Sequence, residues 1–403
     1  MQIEKFKIEI SEENLDALTR RISHTRWPSS IDAAGWGDGS SLAFMRDLAG
    51  YWHRDYNWRA HEARLNLLPH YIADIDGFKI HFVHVKGSGP SPFPIIITHG
   101  WPGSFLEMEQ IIPLLTNPGA HGGHPDDAFD LVIPSLPGFA FSSAPKTSGT
   151  SPFEIAELWQ KLMTGLGYSK FGAQGGDIGA AVSSWLAFRF PENVTGIHLN
   201  YIPGSFSPPV GDDLAALTDA EKEFKKVAAE WAGKEGAYAH MQGTKPQTLA
   251  YGLSDSPVGL AAWIIEKFRS WSDCEGKVLD VFTMDTLLTE VSLYWFSGSL
   301  DASFRIYKES RAHPLTFARG ERILPPVAVS HFAKELPQPP RSWVERVYNV
   351  VKWTEHDRVV ISLRWRDRTN SQRTFAPISG TCAADVRCPV VRLAGSLPDT
   401  FGL

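Results

Sequence analysis

The chain of 403 residues carries 39 Lys and Arg against 45 Asp and Glu, a formal net charge of −6 with histidine neutral, which gives no reason to expect a nucleic acid or an anionic membrane as partner. An apolar fraction of 43% with 21% charged residues is that of an ordinary soluble globular protein, long enough to bury a large core. Three cysteines, Cys274, Cys382 and Cys388, are too few and oddly numbered for a disulfide framework, and neither a C-x-x-C pair nor a Cys/His cluster suggests a metal. The opening Met1-Gln2-Ile3-Glu4-Lys5-Phe6 is charged within its first residues, and no apolar run reaches bilayer-spanning length. The sequence therefore predicts a cytoplasmic protein without a membrane anchor.

Residues 1–75 read as a helical, aromatic-rich segment. Ser11-Glu12-Glu13-Asn14 supplies N-cap chemistry for a helix with Leu15, Leu18 and Ile22 as its apolar stripe, and Trp27, Trp36, Trp52 and Trp58 belong to a stretch that wraps against something else. Such a segment serves as a lid or as the arm of a homodimer, and the sequence leaves both open. From Tyr71 the pattern changes to alternation: Tyr71-Ile72-Ala73-Asp74-Ile75 and Phe78-Lys79-Ile80-His81-Phe82-Val83-His84 flank Asp76-Gly77, a two-residue hairpin signal. Strand, loop and helix units then fill residues 76–205. Over residues 206–312 strands vanish and helical patterns take over, as in Asp219-Ala220-Glu221-Lys222-Glu223-Phe224 and Gly259-Leu260-Ala261-Ala262-Trp263, which suits a cap that keeps water from a site. Strands resume within residues 313–358, at Ala328 and again from Arg346. Residues 359–403 form an atypical tail.

Three pieces in the first core stretch carry chemistry. Pro94-Ile95-Ile96-Ile97-Thr98-His99-Gly100-Trp101-Pro102-Gly103 is a buried-strand pattern ending in a Gly/Pro-rich loop, and Phe129-Asp130-Leu131-Val132-Ile133-Pro134-Ser135-Leu136-Pro137-Gly138 is a second apolar strand running into a turn. The third, Gly175-Gly176-Asp177-Ile178-Gly179, has the spacing that lets a strand turn abruptly into a helix with its central side chain left standing at the sheet's end, here an aspartate. Together they predict an α/β-hydrolase fold: a mostly parallel sheet flanked by helices, with a helical cap and an N-terminal wrapping segment. In that fold the backbone N–H groups of Trp101 and Ile178 form the oxyanion hole. His99 belongs to the same loop and reads as a loop residue rather than a base.

With these pieces in place the sequence resembles the microsomal-type epoxide hydrolases, juvenile hormone-like and soluble fungal members included. The likeness rests on His99-Gly100-Trp101-Pro102-Gly103-Ser104, Gly175-Gly176-Asp177-Ile178-Gly179, His240-Met241-Gln242-Gly243-Thr244-Lys245-Pro246, Ser254-Asp255-Ser256-Pro257-Val258-Gly259-Leu260-Ala261-Ala262, Tyr294-Trp295-Phe296-Ser297-Gly298 and Arg305-Ile306-Tyr307-Lys308-Glu309. It runs over residues 1–358. The resemblance implies that Asp177 attacks an epoxide carbon to form an alkyl-enzyme ester, and that Tyr238 and Tyr307, projecting from the cap, protonate the leaving oxygen. It implies further that water, activated by a histidine oriented by Glu335, releases a vicinal diol without metal or cofactor. A small apolar epoxide and water are the expected partners. Without the family, Tyr238 and Tyr307 read as cap-packing tyrosines and Glu335 beside Lys334 as a solvated surface pair.

The likeness stops at Arg358. In relatives the strand ending Trp353-Thr354-Glu355-His356-Asp357-Arg358 is followed by Gly-Gly-His and a closing helix; here Val359-Val360-Ile361-Ser362 follows, and no histidine occurs after His356. The general base is missing from its place, with His331 and His356 as neighbouring substitutes. The last 45 residues hold six arginines and two of the three cysteines but no Lys, Glu or His, and Pro377, Gly380, Pro389, Gly395 and Pro398 interrupt any helical stripe. Every valine codon opens with GT, the bases that usually open an intron, so the tail is expected not to be the evolved C-terminus. Two other readings stand beside an impaired epoxide hydrolase: another Asp-nucleophile hydrolase of the haloalkane dehalogenase type, and a catalytically dead small-molecule binder.

Overall fold

The structure is a computed structural model that describes residues 1–31, 34–210, 216–298, 300–332 and 336–356. Its first element is strand β1 (Gln2–Phe6), which pairs antiparallel with β2 (His70–Ile75). The helical reading of the N-terminal segment missed β1 for a physical reason: four of its five residues are exposed on a sheet edge, so no buried face imprints an alternation. Helices α1 (Glu12–Ser23), α2 (Leu42–Arg54) and α3 (Trp58–Leu65) follow. Ser11 caps α1 by accepting the Asn14 N–H, and Leu18 and Ile22 are its buried stripe. Asp76 and Gly77 sit at φ 52° and 81°, the left-handed conformation of a tight hairpin, and join β2 to β3 (Phe78–Val85).

The core then alternates strand and helix: β4 (Phe93–Thr98), α4 (Ile112–Thr116), β5 (Phe129–Pro134), α5 (Pro152–Gly165), β6 (Phe171–Gly175), α6 (Ile178–Arg189) and β7 (Val194–Leu199). Helix α5 opens on a capping box, Ser151 with Glu154, behind Pro152. A helical layer comprises α7 (Asp219–Glu235), α8 (Ala237–Thr244), α9 (Pro246–Asp255), α10 (Pro257–Trp271), α11 (Met284–Ser297) and α12 (Leu300–Ala312). The chain returns through β8 (Ile323–Phe332), α13 (Arg341–Glu345) and β9 (Tyr348–His356). Strand β8 begins before the expected Ala328, and its Pro325 and Pro326 fall where the register with β9 shifts, a place where a missing N–H breaks no ladder bond.

The nine strands lie in one sheet, ordered β1-β2-β3-β5-β4-β6-β7-β8-β9. The first three are antiparallel, and β5, β4, β6, β7, β8 and β9 run parallel. That is the α/β-hydrolase architecture, with the helical layer inserted between β7 and β8. The partner of the N-terminal wrap is that helical layer: Tyr51 Oη donates to Asp285 Oδ1 at 2.9 Å, Ser40 Oγ to the Ala262 carbonyl at 2.7 Å, and Trp52 and Trp58 are buried. On the far side, α7 is tied to the returning core by Glu221. Its fully buried carboxylate takes Arg346 Nη2 at 2.8 Å and Nε at 3.0 Å, with Ser342 Oγ at 3.1 Å. Among the described residues no helix is long and apolar enough to cross a membrane.

Candidate active site

Thr98 and Gly175 are register partners at the ends of β4 and β6, so the two loops the sequence singled out leave the sheet side by side. Asp177 turns the chain from β6 into α6 at φ 51° and ψ −126°, a conformation that strains any residue with a Cβ. The neighbours must be small because backbone comes too close for anything else. A Cβ on Gly179 would lie 2.0 Å from the Thr98 carbonyl oxygen, one on Gly175 would lie 2.1 Å from that of Gly179, and one on Gly100 would lie 2.3 Å from the Asp177 side chain.

The Trp101 N–H donates to Asp177 Oδ1 at 2.9 Å, and the Ile178 N–H bonds to the same carboxyl. Asp177 retains partial exposure, but burial among apolar groups pushes its pKa above the usual carboxylate range, and those two N–H groups oppose the shift. Both tyrosines stand over this point. Tyr238, from α8, stacks on Trp101 with ring centres 5.3 Å apart and planes at 13°; Tyr307, from α12, meets Trp101 edge-on at 5.9 Å. The two phenol rings are 5.7 Å apart and their hydroxyls share a hydrogen bond. Burial raises both phenols above their ordinary pKa, and the Asp177 charge raises them further.

This chain matches the family model described as "Epoxide hydrolase N terminus" over residues 3–108 and the one described as "alpha/beta hydrolase fold" over residues 94–230. It is 41% identical over 360 residues to a Stigmatella aurantiaca protein bearing an epoxide hydrolase name, with 88% of this chain and 80% of that protein covered. Epoxide hydrolase 1 of Sus scrofa is 35% identical over 370 residues, covering 86% and 81%. The solved epoxide hydrolase of Aspergillus niger superposes with a TM-score of 0.78 at 31% identity, covering 91% of this chain and 93% of that one.

The chain belongs to the epoxide hydrolase family.

Several residues of this epoxide hydrolase homologue brace the site without having been given a site role in the sequence. Tyr294 O–H donates to the Gly103 carbonyl at 2.8 Å, holding the loop that carries Trp101. Ser104 Oγ donates at 2.9 Å to Glu290, whose fully buried carboxyl is pushed well above the usual range by burial and by the Glu107 charge. Trp271 and Phe304 complete an aromatic wall at 6.2 Å and 6.4 Å from the Trp101 ring. His99 is buried and braces the same loop. Its Nδ1–H donates to the Gly100 carbonyl at 3.0 Å, while its Nε2 accepts the Leu136 N–H at 3.1 Å.

Glu335 and the tail 359–403 lie outside the described residues. The two neighbouring histidines are engaged across the β8–β9 pair. His331 Nδ1 meets Glu355 Oε2 at 2.6 Å and the ring stacks on Trp353 at 5.2 Å, whereas His356 stacks on Phe332 at 4.6 Å. Strand β7 separates their strands from β6, so β8 lies two interstrand spacings, about 9–10 Å, from the strand that delivers Asp177.

Proposed function

We propose that this chain opens epoxides by nucleophilic attack of Asp177 and that its ester-hydrolysis half-reaction is impaired. An Asp177 oxygen bonds to an epoxide carbon as the ring C–O bond breaks. The departing electron pair on the ring oxygen takes a proton from the Tyr238 and Tyr307 pair, leaving an alkyl-enzyme ester with a free hydroxyl. Water would then attack the ester carbonyl, whose oxyanion the Trp101 and Ile178 N–H groups stabilise; a histidine oriented by Glu335 would accept the water proton and return it to the departing alkoxide, which leaves as a vicinal diol while the Asp177 carboxyl gives its remaining proton back to the phenolate.

The observation that carries the first half is the Asp177 carboxyl, anchored at 2.9 Å by the Trp101 N–H and facing two hydrogen-bonded phenols. A haloalkane dehalogenase would use such a pair as donors alone, because a departing halide takes no proton, whereas an opening epoxide oxygen does. The impairment rests on the sequence, in which no histidine follows His356. The aromatic wall of Trp101, Trp271 and Phe304 suits a small apolar or aryl epoxide.

Incubating the 403-residue chain with styrene oxide and measuring its intact mass tests both halves. The expected product is a protein heavier by one epoxide that persists, with the adduct mapping to Asp177 and absent from Asp177→Asn. Rapid multiple-turnover diol formation would refute the impaired second half. Adduct-free, reversible binding that survives Asp177→Asn would refute the nucleophile and favour a binding protein.

A further inference from the structure

The ring-opening scheme leaves unused a buried cation beside one of its phenols. Lys267, on α10, is 8% exposed, and its Nζ lies 5.1 Å from the centre of the Tyr238 ring and 5.5 Å from that of Trp271. A lysine in an apolar wall stays charged only if paired, and Glu266 at 2.5 Å and Glu235 at 4.0 Å supply the counter-charge. The two rings it faces lead to the nucleophile: Trp271 is 4.9 Å from Tyr238, which stacks on Trp101, the residue whose N–H holds Asp177.

The surroundings of Tyr238 work against proton donation. Burial, the Asp177 charge and the Glu235 charge all raise its pKa, so by themselves they make the phenol a reluctant acid. A cation against the ring works the other way, and its effect grows during the reaction. As the phenol gives its proton to the opening epoxide, the ring becomes richer in electrons and attracts the ammonium more strongly. That stabilisation is greater in the transition state than in the ground state, and so accelerates the chemical step.

We propose that Lys267 is a positioning residue for ring opening: it fixes the Tyr238 ring on Trp101 and stabilises the negative charge that develops on the phenol as the epoxide oxygen takes its proton. This rests on the reading of Tyr238 as a proton donor. Glu266 and Glu235 are the counter-ions nearest the lysine.

The test follows alkyl-enzyme formation from styrene oxide by time-resolved intact mass, which reads ring opening alone. Lys267→Met is expected to slow adduct formation about tenfold or more at saturating epoxide, with little change in the epoxide concentration giving half-maximal rate. Lys267→Arg, which keeps a cation able to lie over a ring, is expected to stay within about threefold of the parent. In a Tyr238→Phe background, Lys267→Met should add less than about twofold, because no phenol charge remains to stabilise. The deficit of Lys267→Met should also shrink for 3,3,3-trifluoro-1,2-epoxypropane, whose less basic alkoxide needs less help from a proton.

Unchanged adduct formation in Lys267→Met, or an equal slowing by that substitution with and without the Tyr238 hydroxyl, would overturn the proposal. Full-rate alkylation of Tyr238→Phe by itself would instead remove Tyr238 as a donor, and the proposal with it. Should Lys267→Met leave Glu266 unpaired and unfold the chain, Lys267→Met with Glu266→Gln removes the pair together. That double variant must still be slow, and recovery of the parent rate in it would also overturn the proposal.

Discussion

Two histidines deep in the fold have their proton positions fixed by their partners, and this makes the stability of the chain sensitive to acid in a calculable way. The Leu65 carbonyl can only accept, so the His70 Nε2 at 2.8 Å carries a proton and its Nδ1 is bare. That bare nitrogen, 2.9 Å from His81 Nε2, must accept from it, and His81 Nδ1 in turn accepts the Ser135 hydroxyl at 2.8 Å. A proton added to His70 Nδ1 would point at the hydrogen on His81 Nε2, and one added to His81 Nδ1 would force the Ser135 hydroxyl to turn from donor to acceptor. Both imidazoles are buried, and burial lowers both pKa values, with each neighbouring imidazole, His99 included, adding to the shift on His81. The unfolded chain takes up these protons below about pH 6.5 while the folded chain does not, so stability is full above that pH and falls as the pH drops through it. If both rings stay neutral in the folded state, each withdraws about 2 kcal/mol between pH 7 and pH 5, or up to about 4 kcal/mol together. Denaturant titrations at pH 7, 6 and 5 measure this directly. The difference between the parent and a His70→Gln, His81→Gln variant isolates the pair from His61 and His84, whose pKa values are also lowered. Identical pH dependence in the two proteins would refute the assigned proton positions.

Removing the cation that ties the helical layer to the returning core, by Arg346→Met, leaves the Glu221 carboxylate buried and unpaired; the expected loss is about 3–5 kcal/mol in a denaturant titration at pH 7. Arg346 holds the Glu221 pKa down to about 2, so the stability this pair contributes is present above the ordinary carboxylate range and is lost as the pH falls toward 2. The rate of alkylation should fall about tenfold per pH unit on the acid side of the Asp177 pKa, with a midpoint above the ordinary value of about 3.9 because burial raises that pKa, as read by initial adduct formation in a pH series. Tyr294→Phe removes the donor to the Gly103 carbonyl and is expected to lower stability by about 0.5–1.5 kcal/mol and to slow adduct formation without abolishing it.

What the sequence discloses is local, and what it conceals arises from packing. The Asp76-Gly77 hairpin and the Gly-x-Asp-x-Gly elbow are legible because the backbone conformation they need restricts the residues that can occupy them. Helix α5 carries an equally local signal, since Ser151 and Glu154 form a capping box with Pro152 at the first helical position between them. Strand β1 left no signal, because an exposed edge strand has no buried face. Tyr238 and Tyr307 entered only through the family likeness, as a phenol in a helical pattern is most often packing. Lys267, Trp271 and Glu290 are brought to the site only by the fold, and so is the role of Tyr294, which the sequence shows only within a family motif. Lys267 and Glu235 lie in different helices, and a lysine flanked by Glu266 and Phe268 looks in sequence like a solvated surface residue.

The chain order also explains how one half of a two-step reaction could be lost and the other kept. Trp101, Asp177, Ile178, Tyr238 and Tyr307 all fall between β4 and the end of α12, and the strands that deliver the loops, β4 and β6, are central in the sheet with a partner on each side. Their geometry depends on backbone register and on aromatic packing within the helical layer. The water-activating residues of the proposed mechanism instead follow β8 and β9 in the chain, and β9 ends the sheet among the described residues. On the proposed mechanism, a departure after Arg358 would remove the base and leave in place every residue proposed to align or protonate the epoxide. Under that proposal ring opening needs only the carboxylate and its two phenols, and the ester would have no histidine from the expected position to release it.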